Sequence, residues 1–156
     1  MNGGRRPVRR ALFLSGSFGK GHDTLAEACA AALEPYGVES KIVDCMPMLG
    51  QGLSKVGDAV FRTILSSTPV YDAFHFSQLR GDGPFGRFAD RAAVKTMLPH
   101  LRAEVNRSRP DLIVSVFATG AAAAVHLRDE HPDVATVVFI TDSFAHRMWV
   151  HEGTDL

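Results

Sequence analysis

Short apolar runs that end at glycine or polar residues alternate along this chain with longer stretches in which apolar side chains recur every three or four positions. The first run, Val8 to Ser15, suits a buried strand, and from His22 to Leu33 alanine, leucine and glutamate suit a helix stopped by Pro35 and Gly37. Glu39 to Asp44, carrying Ile42 and Val43, predicts a second strand, so the chain opens as a βαβ unit. The same order returns late: a β-branched strand over Asp111 to Phe117 introduced by Pro110, an alanine-rich helix over Thr119 to Arg128, and a strand over Ala135 to Ile140. Between these halves, residues 52–106 lack strand signals. Leu53, Val56, Val60 and Ile64, then Phe85, Phe88, Ala92, Leu98, Leu101 and Val105, follow helical spacing, which predicts two or three helices interrupted at Pro69 and at the Gly81 to Gly86 turn. The alternation as a whole predicts an α/β fold, a Rossmann-like open parallel sheet flanked by helices.

Composition narrows the function classes. With 156 residues, 46% of them hydrophobic, the chain can bury one core, and one domain is expected. Lys plus Arg equals Asp plus Glu at 17 each, so no global field draws nucleic acid, and the cluster Arg5, Arg6, Arg9 and Arg10 reads as a solvated tail and strand edge. Cys29 and Cys45 have no CxxC or histidine-paired spacing and read as reduced cytosolic thiols. The longest apolar run, Ala118 to Val125 less its Gly120, falls far short of the roughly 20 residues of a bilayer span. Nor does the basic start lead into a signal-peptide core, since Leu12 to Leu14 is broken at once by Ser15 and Gly16. An open sheet continues until its last strand is covered, so the stop at Leu156 soon after a strand predicts an excised domain.

The stretch Ser15 to His22, SGSFGKGH, joins the first strand to the first helix. A P-loop needs glycine where Leu14 stands and serine or threonine where Gly21 stands, and the dinucleotide fingerprint needs a third glycine that His22, Asp23 and Thr24 do not supply. What remains is Gly19-x-Gly21-His22 at a helix start, where Ser15, Gly16 and Ser17 could offer amides and hydroxyls to an oxyanion. The plainer alternative is a tight turn that needs glycine. A helix N-terminus disfavours positive charge, so an imidazole placed there suits the neutral form that a general base requires.

Thr141-Asp142, His146, Trp149 and His151 follow the strand that ends at Ile140 and share the rim with His22 if the strands are parallel. They admit three readings: a carboxylate that orients a histidine or binds a polar acceptor, a metal held by Asp142, His146 and His151, or a loop on which Trp149 packs. The metal spacing matches no recognised motif, and no metal or cofactor is expected. Phe117 to Gly120 is a further strand-to-helix turn at the same rim, explained equally well by Thr119 as an N-cap. Phe61, Phe74, Phe76, Phe85 and Phe88, alongside Arg62, Arg80, Arg87, Arg91 and Lys95, read mainly as core, with a minority forming a peripheral membrane face.

Taken in order, SGSFGKGH with its alanine-rich helix, PDLIVSVFATG and TDSFAHRMWVHEGTDL resemble the N-terminal domain of monogalactosyldiacylglycerol synthases and processive diacylglycerol glucosyltransferases, within the GT-B glycosyltransferases. The likeness runs from Arg10 to Leu156, and its most specific parts are the Gly-x-Gly-His turn and the Thr-Asp-x-x-x-His-x-x-Trp segment. It implies the N-terminal, acceptor-side half of a GT-B enzyme that moves a hexose from a UDP-sugar to a membrane lipid such as diacylglycerol. The donor is held chiefly by a C-terminal domain outside these residues, so the 156 residues alone are expected to be inactive. It further implies a cytoplasmic protein peripherally bound to the membrane, with no nucleic-acid partner. By carry-over His22 faces the acceptor hydroxyl as base, Asp142 and His146 line the interdomain cleft, Asp142 with a catalytic part, and Trp149 supports that loop. Lys20 stands where many members have glycine, and Asp23 where small or polar residues are common.

Overall fold

The structure is a computed structural model that describes residues 7–17, 20–50, 84–141 and 149–156, with residues 84–90 described by backbone alone. Four strands form one sheet in the order β2-β1-β3-β4, all parallel: β1 Arg10–Ser15, β2 Glu39–Asp44, β3 Leu112–Ser115 and β4 Ala135–Val138. Among the described residues three α-helices accompany it, α1 Lys20–Leu33, α2 Pro84–Ser108 and α3 Ala118–Val125. The expected Rossmann-like α/β architecture is therefore present.

Every residue of β1 from Ala11 to Ser15 is buried, which is why the strand reads as a continuous apolar run rather than an alternating one. Ala11 and Phe13 point to one face, where Ala26 and Leu33 of α1 join Val38, Val114 and Val116. Leu12 and Leu14 point to the other, packing with Met97, Leu101 and Val105 of α2 and Ala122 to Ala124 of α3. Each large side chain so buried contributes about 1.5–3 kcal/mol. Leaving β1 through α1, the chain reaches β2 on one side, then returns through α2 to β3 on the other. The strand order thus reverses between β1 and β3, and α1 and α3 leave their carboxyl ends toward opposite faces, opening a crevice there.

Element boundaries differ locally from expectation. β1 starts at Arg10 instead of Val8, because the amides of Arg9 and Arg10 both donate to Asp111 Oδ2 at 2.9 Å. β3 ends at Ser115, whose Oγ donates to the Phe117 carbonyl at 2.7 Å and turns the chain. Thr119 does not cap α3: Phe117, extended at φ −135 and ψ 126, stands at the N-cap with no side-chain hydrogen bond. That helix closes at Val125, with Leu127 N donating to Ala124 O in a tighter turn. A turn was expected at Gly81 to Gly86, yet α2 already begins at Pro84, a residue favoured in a first helical turn, and runs on through an exposed Pro99. Residues 51–83, with the helical spacing at Leu53 to Ile64 and the break at Pro69, lie outside the described residues. No helix among the described residues is long and apolar enough to cross a membrane.

The lower end of α2 is tied to β2. Glu104, with its side chain 7% exposed, takes Lys41 Nζ at 2.7 Å and also pairs with Arg107. Burial alone would raise its carboxyl, but hydrogen bonds and charge from Lys41 and Arg107 hold it below the usual range. Asp111 is likewise lowered, first by the Arg9 amide. Immediately after α2, Arg109 adopts the left-handed conformation at φ 46 and donates its N–H to Val105 O at 2.8 Å, closing the helix before Pro110.

Because both carboxyls are depressed in the folded state, the unfolded chain takes up their protons first. Their contribution is present above the ordinary carboxylate range and is lost as pH falls through the lower folded values. Glu104→Gln is expected to cost about 1 kcal/mol near neutral pH, discounted for its two solvent-accessible partners, and to flatten the acid limb of a stability curve followed by urea unfolding. Arg109→Gly should raise stability by about 0.5–1 kcal/mol in the same measurement, by relieving the left-handed backbone.

Candidate active site at the carboxyl edge

The crevice between the ends of β1 and β3 brings His22 into contact with the second half of the domain. His22 lies half-buried in the first turn of α1, its ring meeting Phe117 edge-on with centroids 5.9 Å apart and planes at 70°. Its Nδ1 stands 3.4 Å from Thr141 Oγ1, which follows β4. Three strand ends, distant in sequence, therefore converge on one imidazole. Gly16 is what allows Phe117 to come so near: a Cβ there would lie 2.6 Å from Phe117 Cδ2 and 2.8 Å from Cγ. A second close approach sits below, where a Cβ on Gly120 would meet Ser115 Oγ at 2.8 Å and Leu14 Cβ at 3.2 Å.

The serines of the turn are engaged by carboxylates. Ser15 Oγ donates to Asp23 Oδ1 at 2.5 Å, and Ser17 Oγ donates to Asp44 Oδ2 at 2.8 Å. Asp44 also accepts from Ser17 N at 3.3 Å and Met46 N at 2.9 Å, so one carboxylate joins the exits of β1 and β2. Asp23, in the first turn of α1, already supplies the negative charge that a helix N-terminus favours. The hydroxyl protons expected to serve an oxyanion are thus directed to the protein's own carboxylates. Neither Asp23 nor Asp44 stands out by residue type. Their signal is position alone, two residues after Gly21 in the first turn of α1 and the last residue of β2.

The other expected residues are distributed as follows. Gly21 is exposed on α1 with open space around it, and Thr119 is buried as the second residue of α3. Trp149 is buried, 3% exposed. Gly19, Asp142 and His146 lie outside the described residues. His151 does not join His22; it stands with His126 and Lys95 along the α2 and α3 surface. Among the described residues no three side chains form a metal-binding cluster. Cys45, beneath the rim, is a free thiol that burial and then the charge of Asp44 push up to about 12, so it stays protonated and unreactive.

A family model described as monogalactosyldiacylglycerol (MGDG) synthase matches residues 22–156, beginning at His22 itself. The chain belongs to the MGDG synthase family. It is accordingly a glycolipid glycosyltransferase domain, and the crevice holding His22 is the part of this MGDG synthase-like fold where strand-end residues from both halves meet. No curated protein and no solved structure matches the chain.

Gly16→Ala should push the Phe117 ring off its seat and lower stability by about 1–3 kcal/mol. In a Phe117→Ala background the same change should cost much less. A double-mutant cycle from urea unfolding is expected to give a coupling of about 1 kcal/mol or more, and additive costs would mean that the two residues do not share the constraint.

Proposed function

We propose that this chain is the acceptor-side domain of a GT-B hexosyltransferase in which His22 takes the proton of a lipid alcohol, diacylglycerol being the fitting acceptor, as a hexose arrives from a UDP-sugar. The observation that carries the proposal is the placement of His22 at the sheet's switch point, with Phe117 against its ring and Thr141 at Nδ1. An Nδ1–H directed at Thr141 Oγ1 leaves Nε2 as the lone-pair nitrogen for the crevice. There the acceptor O–H passes its proton to Nε2, the oxygen bonds to the anomeric carbon, and the bond from that carbon to the UDP oxygen breaks. Asp142 and His146, by family likeness, line the same interdomain cleft, with Trp149 supporting their loop.

Asp23 and Asp44 support a neutral acceptor. Two carboxylates beside the turn repel a phosphorylated alcohol, whereas a hydroxyl can donate to the remaining lone pairs. The donor belongs to a second domain closing over this one, which excludes water as a competing nucleophile. Such an enzyme works at a membrane surface, and the peripheral cytoplasmic placement is part of the same proposal.

The complete enzyme carrying this domain should transfer labelled hexose from UDP-galactose or UDP-glucose to diacylglycerol in mixed vesicles. His22→Ala should lower turnover by roughly 10²-fold or more with the fold intact. Unchanged turnover in that variant would remove His22 as the base, and failure with every UDP-hexose and diacylglycerol would leave a lipid-binding domain in place of a transferase.

A further inference from the structure

Helix α2 handles its cations in two ways. In its lower half each has a carboxylate: Arg102 makes two bonds of 2.7 Å to Glu130, and Arg107 pairs with Glu104. About two and three turns before Arg102, Lys95 and Arg91 are exposed, stand four residues apart on one side of the helix, and pair with no carboxylate among the described residues. A like-charge pair at this spacing weakens a helix, so local helix energetics do not explain it.

These two side chains border a groove of about 380 Å³ between α2 and α3, a volume at the small end of small-molecule sites. Its floor is apolar. Val94 and Ala122 are buried there, 7% and 4% exposed, with Leu98 beside them. His126, just after α3, and His151, from the returning chain, complete the border with Arg91 and Lys95. Three separate segments thus bring nitrogen-bearing side chains around an apolar floor, and among the described residues none of the lining side chains is acidic. Arg and Lys supply donors and permanent positive charge, His126 adds a ring N–H group, and the floor accepts a small apolar group.

From this geometry we infer that the α2–α3 groove binds a small soluble organic phosphate, an anion joined to a compact apolar portion. The groove is recessed between helices and runs away from the carboxyl edge, because α3 leaves that edge at Ala118 and His126 follows its far end. Binding here lies outside the crevice of His22 and does not depend on the transferase reading.

Calorimetric titration of the 156-residue chain with phenyl phosphate tests the inference, with benzyl alcohol, inorganic phosphate and phosphatidylglycerol vesicles as comparisons. Phenyl phosphate should bind saturably and more tightly than inorganic phosphate, while benzyl alcohol should not bind. Arg91→Gln with Lys95→Gln should weaken phenyl phosphate binding by about tenfold or more without moving the thermal midpoint, since both side chains are exposed. Arg91→Lys should retain most of the affinity. The inference is overturned if phenyl phosphate shows no saturable binding, if the double variant binds it equally, or if the vesicles bind and phenyl phosphate does not.

Discussion

The arrangement rests on one constraint: β1 is buried on both faces and paired along both edges. Its side chains alternate between two apolar layers, with Phe13 on the α1 side and Leu12 and Leu14 on the side of α2 and α3, while β2 and β3 hydrogen-bond its two margins. A strand in that position can be left only at its ends. At its carboxyl end the backbone must turn sharply beneath the neighbouring β3 exit, and the first turn of the following helix is delivered to the centre of the sheet. His22 occupies that turn, so its location follows from the packing of β1.

The turn is preorganised by short-range contacts around it. Gly16 admits the Phe117 ring, which fixes the edge of the imidazole, and Asp23 and Asp44 hold Ser15 and Ser17 from two directions. These contacts change the chemical character of the rim. A glycine turn at a helix N-terminus would ordinarily invite a phosphate, but here internal carboxylates take the hydroxyl protons. The serine hydroxyls of the rim are therefore committed within the protein, while Arg91 and Lys95 of α2 stand elsewhere.

Much of this was legible in the sequence because short apolar runs bounded by glycine and polar residues mark strands: the partly exposed β2 falls on Glu39–Asp44 as expected, and β1, β3 and β4 lie within their expected runs. His22 at the rim follows from the glycine turn between a strand and a helix. What spacing could not give was tertiary. Phe117 in extended backbone displaced Thr119 from the capping position, and α2 starts at Pro84, inside the turn expected at Gly81 to Gly86. The parts of Asp23 and Asp44 arise from partners 8 and 27 residues away, a pairing that no local pattern announces.

The outer margin of β4 is met by the end of the described chain. Asp155 N donates to Thr136 O at 2.9 Å, its Oδ2 accepts from Thr136 N at 3.0 Å, and Val138 N donates to Leu156 O at 2.9 Å. Arg128 holds this strip in place through Asp155 and the Gly153 carbonyl. On the opposite margin, β2 presents Lys41, turned inward to Glu104, and Glu39. Among the described residues the two outer strands thus meet their surroundings differently, β4 through main-chain bonds to Asp155 and Leu156 and β2 through charge, and an inward-turned charge discourages strand addition by another chain.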